Sequence, residues 1–112
     1  MDSILDSIKK ALGISEDDNS FDVEIIMHIN SVFMILNDLG VGPEDGFYIV
    51  DSSEVWEDFL GERKSLEAVK TYVYQKVKLV FDPPTGALLD ALKESVKEFE
   101  WRLRNRAEEE VW

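Results

Sequence analysis

The single histidine, His28, follows Glu24 by one helical turn, a pairing that could hold a metal ion or pass a proton. Catalytic zinc needs three protein ligands, and the chain has no second His and no Cys. Asp18, Ser20 and Asp22 have the alternation of a calcium loop. However, its sixth position is Val23 where glycine is required, and its twelfth is Ile29 where a bidentate Glu is required. Carboxylates also adjoin at Glu16-Asp17-Asp18 and Glu57-Asp58, which would suit acid-base chemistry only in a cleft that separates their proton affinities. Their settings predict solvated surface instead. Gly40, Gly42 and Gly46 surround a proline turn and match neither phosphate-binding pattern. These residues therefore predict no enzyme, no cofactor and no metal site.

The elements that carry them must come from a chain of 112 residues, long enough for one domain over residues 1–112 with its own core. The formal charge of -12 opposes binding to phosphate backbones or an anionic membrane. Apolar residues make up 45%, too many for an acidic disordered tail, and no run approaches a bilayer span. The absence of Cys fits a reducing compartment, and Met1-Asp2-Ser3-Ile4-Leu5 has neither the positive start nor the apolar run of an export signal, so cytoplasmic synthesis is expected. Charge is unevenly spread, since residues 23 to 60 carry eight acids and no Lys or Arg. Such asymmetry can orient one copy of a protein against the next.

Spacing predicts an all-α fold, a small bundle of about four main helices with a short helix and an irregular extended excursion. The first helix runs from about Ser3 to Leu12 with Ile4, Leu5, Ile8, Ala11 and Leu12 on one stripe, Lys9 and Lys10 near its end, and Gly13 stopping it. Ser15 and Asp18 stand at capping-box spacing, and Ser20 or Asp22 offers a second cap for a helix reaching Leu39 before Gly40. In it Ile25, Ile29, Val32, Leu36 and Leu39 form a stripe, and Ile26, Met27, Phe33, Met34 and Ile35 widen the apolar surface until most of the circumference asks for burial. Glu24, His28, Ser31 and Asp38 leave one polar strip for water or a neighbouring subunit. Phe47 to Val50 is too short to found a sheet, and Asp51, Ser52 and Ser53 offer caps for a short helix holding Val55, Trp56, Phe59 and Leu60, closed by Gly61. Residues 65 to 81 read as helix on length, ended by Asp82-Pro83-Pro84. Thr85 caps the last helix, whose stripe is Leu88, Leu92, Val96, Phe99, Leu103 and Ala107.

Trp56, Trp101 and Trp112, with Arg102, Arg104 and Arg106, are residue types that dominate protein interfaces. Core packing is the expectation for Trp56 and Trp101. Glu108 to Glu110 oppose the negative end of the helix dipole, which predicts a fraying end, with residues 105–112 a flexible tail and Val111 and Trp112 its apolar tip. The candidate partner interface is thus Trp101, Arg102, Arg104, Arg106, Val111 and Trp112, with Glu24, His28 and Ser31 of the polar strip.

The order of Leu12-Gly13-Ile14, Phe21-Asp22-Val23-Glu24-Ile25, His28-Ile29-Asn30-Ser31-Val32-Phe33, Leu39-Gly40-Val41-Gly42-Pro43, Gly46-Phe47 and Trp56 resembles the small head-tail connector (adaptor) proteins of tailed phages and prophages. Tyr72-Val73-Tyr74-Gln75-Lys76-Val77-Lys78-Leu79-Val80-Phe81-Asp82-Pro83-Pro84 and Glu100-Trp101-Arg102-Leu103 extend the resemblance, which covers roughly residues 3 to 104. It implies a structural virion assembly protein at the virion neck, a neck adaptor made in the bacterial host cytoplasm. By the same resemblance, copies in a ring of about twelve would bind the phage portal protein partly through the C-terminal region and receive the next neck or stopper protein. DNA would pass through the ring without specific binding, and neither a membrane nor a cofactor is implied. The charge also admits a different class, an acidic DNA mimic that inhibits a host DNA-binding enzyme.

Overall fold

The structure, a computed structural model, describes residues 2–61 and 66–109, with side chains to residue 107. Five helices follow one another: α1 (Ile4–Ala11), α2 (Asp22–Asp38), α3 (Trp56–Leu60), α4 (Leu66–Phe81) and α5 (Ala87–Glu109). The described residues hold no strand, only one isolated antiparallel bridge between Ser3 and Val55. The all-α expectation holds, including the helical reading of residues 66 to 81.

Local signals explain most boundaries. The Ser3 hydroxyl accepts the Asp6 amide at 3.2 Å and so caps α1, which ends before Gly13 at φ +83°. After α4 the Asp82 amide still donates to the Lys78 carbonyl, and Pro83 and Pro84 beyond it cannot continue the hydrogen-bond ladder. Three caps differ from expectation. Phe21 occupies the N-cap of α2 with no side-chain bond, because the Ser15 hydroxyl and Asp18 carboxylate are spent on the loop amides of Asp17 and Ser20. Asp58, not the Asp51 to Ser53 run, caps α3 by reaching back to the Val55 amide at 3.0 Å, while Asp51 turns onto Ser53. Helix α5 starts at Ala87, where the Gly86 carbonyl accepts from Leu89 and Asp90, and Thr85 lies one residue too early to cap it.

Helix α4 is the central element, packed between α2 and α5, with α1 and α3 against its remaining side. Its Val69, Tyr72, Val73 and Val77 are fully buried, and they meet Ile25, Ile29, Val32 and Leu36 of α2 within one core. Contacts at opposite ends set the directions. Phe21 before α2 meets Phe81 at the end of α4 edge-on at 5.5 Å, and Tyr72 bonds Glu100, so α4 runs antiparallel to both neighbours. The molecule measures 39 × 35 × 20 Å, a slab about two helix diameters thick.

The excursion between α2 and α3 is irregular, as expected, and pinned at three points. The Asn30 carboxamide pairs with both backbone groups of Ile49, at 3.0 and 2.7 Å, and the Ile4 amide donates to Glu54. Phe47 and Phe59 stack around Phe33 with centroids 4.7 to 5.3 Å apart. Trp56 completes that cluster and donates from its indole to the Ser7 hydroxyl at 2.8 Å. Lys9, near the end of α1, is 1% exposed, its ammonium 2.9 Å from Asp22 and 3.1 Å from the Glu16 carbonyl.

Candidate functional site

The anticipated stripe of α5 is only partly covered. Val96 and Leu103 are buried and Leu92, Phe99 and Ala107 half-buried, but Leu88 is exposed. The cause is that α5 packs chiefly on α4, which is seven residues shorter, so no third helix covers its first turns. Trp101 corrects a second expectation: it lies two positions before buried Leu103, on the opposite side of the helix, and 66% of it is exposed. Trp56 is in the core as expected.

The candidate interface residues fall into separate places. Trp101 and Arg104 are neighbours on one outer face of α5, whereas Arg102 and Arg106, four apart, share a different face. Arg102 is held by Glu98 at 2.8 Å. On α2, Glu24 and His28 approach to 3.7 Å, and the Ser31 hydroxyl donates back to the Met27 carbonyl, leaving its oxygen turned onto its own helix. Helix α4 lies between these two sets and does not bring them together. Val111 and Trp112 lie outside the described residues.

Residues absent from the sequence reading of the interface are conspicuous on the surface. Val23, Met27 and Met34 line the side of α2 opposite its buried Ile25, Val32 and Leu36, and all three are exposed, so the expected burial of most of this helix is not realised within one chain. Tyr48 and Val50 are exposed on either side of Ile49, which Asn30 ties to α2. The excess apolar circumference of α2 was the available signal for the first three. For the other two no local signal existed, since only the Asn30 clamp determines that Ile49 turns in and its neighbours turn out.

Electrostatically the surface offers structure more than chemistry. Hydrogen bonds from Ser20 and Ser53 hold the Asp18 and Asp51 carboxyls below their ordinary range, and both serve their own turns. Burial, and then the hydrogen bond and charge of Glu100, push the Tyr72 phenol far above its ordinary range. An open depression of about 400 Å³ beside the α1–α2 loop is lined by Asp6, Glu16, Asp17, Asp22 and Asp51. Among the described residues no three His, Asp or Glu side chains are placed to hold a metal ion, and no helix is long and apolar enough to cross a membrane.

A thin helical slab with an exposed apolar face on α2 and an exposed Trp101 on α5 defines a protein whose surface chemistry is that of contact with other proteins. The chain belongs to the phage connector protein family, whose model matches residues 4–110. It is accordingly a head-tail connector component that associates with other head-tail proteins of a phage. The match runs past Arg104, so Asn105 to Glu110, which lay outside the resemblance read from the sequence, fall within the family. No curated protein and no solved structure matches the chain.

Proposed function

We propose that the chain is a neck adaptor whose copies ring the portal exit and join the head to the tail or to the next neck protein. The observation that carries this reading is family membership over nearly the whole chain. The exposed faces of α2 and α5 support it, because a ring subunit must meet neighbours on two sides as well as proteins above and below. In this reading the adaptor is a structural and not a catalytic part. Arg102 and Arg106 at the C-terminal end of α5, with Val111 and Trp112 beyond it, meet the portal, and Glu24, His28 and Ser31 lie on the side of a neighbouring copy. A net charge of -12 suits a channel through which DNA must slide without sticking.

A DNA mimic would also be acidic, but its carboxylates would have to follow one another like phosphates. Exposed Val23, Met27, Met34, Tyr48 and Val50 interrupt the most acidic part of this surface. Native mass spectrometry of the chain with the portal protein from the same gene cluster separates the two readings. The adaptor predicts a portal complex with many copies in fixed ratio. A bare portal, together with salt-sensitive capture of a basic DNA-binding enzyme, would replace it with the mimic.

A further inference from the structure

The outer faces of α2 and α5 are chemically matched to each other. On α2 the residues Val23, Met27 and Met34 are 64 to 76% exposed, and Tyr48 and Val50, held beside them by the Asn30 clamp, are 69% and 61% exposed. Single exposed apolar residues are ordinary, but a contiguous set marks a surface meant to be covered. Its rim is acidic: Glu24 and Asp38 flank it on α2, Asp51 follows Val50, and residues 23 to 60 contain no Lys or Arg. Whatever covers this patch must therefore supply both apolar area and positive charge.

The same chain carries such a surface on α5. Trp101 is 66% exposed in mid-helix, with Lys97 one turn before it, Arg104 one turn after it and Lys93 a further turn back on the same side. Trp and Arg are the residues that most often anchor interfaces, and the thioethers of Met27 and Met34 pack well against an aromatic ring. Of the acids nearest Trp101, Glu94 and Glu98 are engaged within the helix, and Asp90 stands about three turns back on the same side. Glu98 is held by Arg102 at 2.8 Å, and Glu94 reaches Lys97 only at 3.8 Å, a long exposed contact that another carboxylate can replace. Both faces turn away from α4, which has α2 on one side and α5 on the other, so one copy cannot bring its own two faces together.

We infer that the Met27/Met34 face of α2, with Tyr48 and Val50, docks on the Trp101 face of α5 in a second copy of this chain. The contact is heterologous: each copy uses one face of each kind and leaves the other free, the arrangement from which rings and open chains are built. The inference rests on the adaptor reading and names the faces through which its copies meet.

The chain contains no cysteine, so introduced thiols report contacts without background. Met27→Cys and Lys97→Cys chains, both altered at exposed positions, are mixed, assembled on the portal, oxidised and separated without reductant. A covalent dimer from the mixture, with none from either variant alone, is expected. Dimers of Met27→Cys with itself overturn the inference, as do particles that carry many copies yet give no cross-link from the mixture, and either outcome leaves the adaptor reading standing. A portal that stays bare removes the adaptor reading, and the inference with it. Independently, Trp101→Ala is expected to weaken association between copies by roughly tenfold or more while the helical circular dichroism is unchanged. Unaltered association at unaltered dichroism overturns the inference.

Discussion

Replacing Trp56 and Trp101 separately by Ala separates the folding core from the contact surface. Trp56 is 1% exposed, so nearly the whole side chain, about 250 Å² in an unfolded chain, leaves water on folding. Truncation at such a site typically costs about 3 to 5 kcal/mol. Here it also removes the indole donor of the Ser7 hydroxyl and leaves Phe33 without one of its ring neighbours. A domain of this size is stable by roughly 6 to 17 kcal/mol, so Trp56→Ala consumes a large share of the total. Trp101 hides only a third of itself, since 66% is exposed. That third is roughly 80 Å² and worth at most about 2 kcal/mol, from which the better helix propensity of Ala returns up to about 0.7 kcal/mol. The net folding cost is about 1 kcal/mol. Urea titrations followed by circular dichroism should show a large fall in midpoint for Trp56→Ala and a small one for Trp101→Ala, with equal slopes. Equal losses in the two variants would refute the division of the protein into a core around Trp56 and an outward face around Trp101.

Three other outcomes follow from particular contacts. A methyl group at Gly42, where φ is +91°, would lie 2.4 Å from the Phe59 ring, whereas at Gly46, with φ +89°, it meets nothing within 4 Å. Gly46→Ala should cost about 1 to 2 kcal/mol for the left-handed backbone alone and Gly42→Ala about 1 to 3 kcal/mol more, and equal values in urea titrations would mean that the aromatic cluster yields freely. Asp22→Ala strands the buried Lys9 ammonium and should cost roughly 2 to 4 kcal/mol, while Lys9→Met, which keeps the apolar stem, should cost less, and the reverse order in thermal unfolding would contradict the role given to this pair. The Tyr72 phenol donates to Glu100 at 2.7 Å and is held above its ordinary range in the folded state, so its stabilisation is full below the unfolded value of about 10 and is lost as pH rises beyond it. Tyr72→Phe should therefore lower stability by about 1 kcal/mol at neutral pH and lessen the alkaline decline between about pH 9 and 12, and an unchanged decline would show that other groups cause it.

Helix positions were legible in the sequence because their signals are local. Ser3 ahead of an apolar stripe, the Pro83-Pro84 pair and glycines after α1, α2 and α3 act within one or two turns, wherever the segment sits in the fold. Capping was less legible, since several Ser and Asp residues stood near each helix start and only the turn geometry of the loops decided which amide each one took. The pattern in α5 named Val96 and Leu103 correctly but also included Leu88, because periodicity tells which residues share a face and not how far along that face a neighbour extends.

The family resemblance and the all-α class were determined by residue types and their order alone. The resemblance needed only short ordered blocks, and the family match confirms them over residues 4–110. Tertiary structure alone decided which apolar residues are covered. Met27 and Met34 lie on the same helix as Ile29 and Leu36, Trp101 is a better core residue by type than Lys9, and yet Lys9 is inside and the other three are outside. Burial depends on which neighbour occupies each side of a helix, a non-local property. Here α4 takes one side of α2 and one side of α5, the Asp22 carboxylate and the Glu16 carbonyl accept the ammonium that α1 carries inward, and the outer faces of α2 and α5 are left without cover.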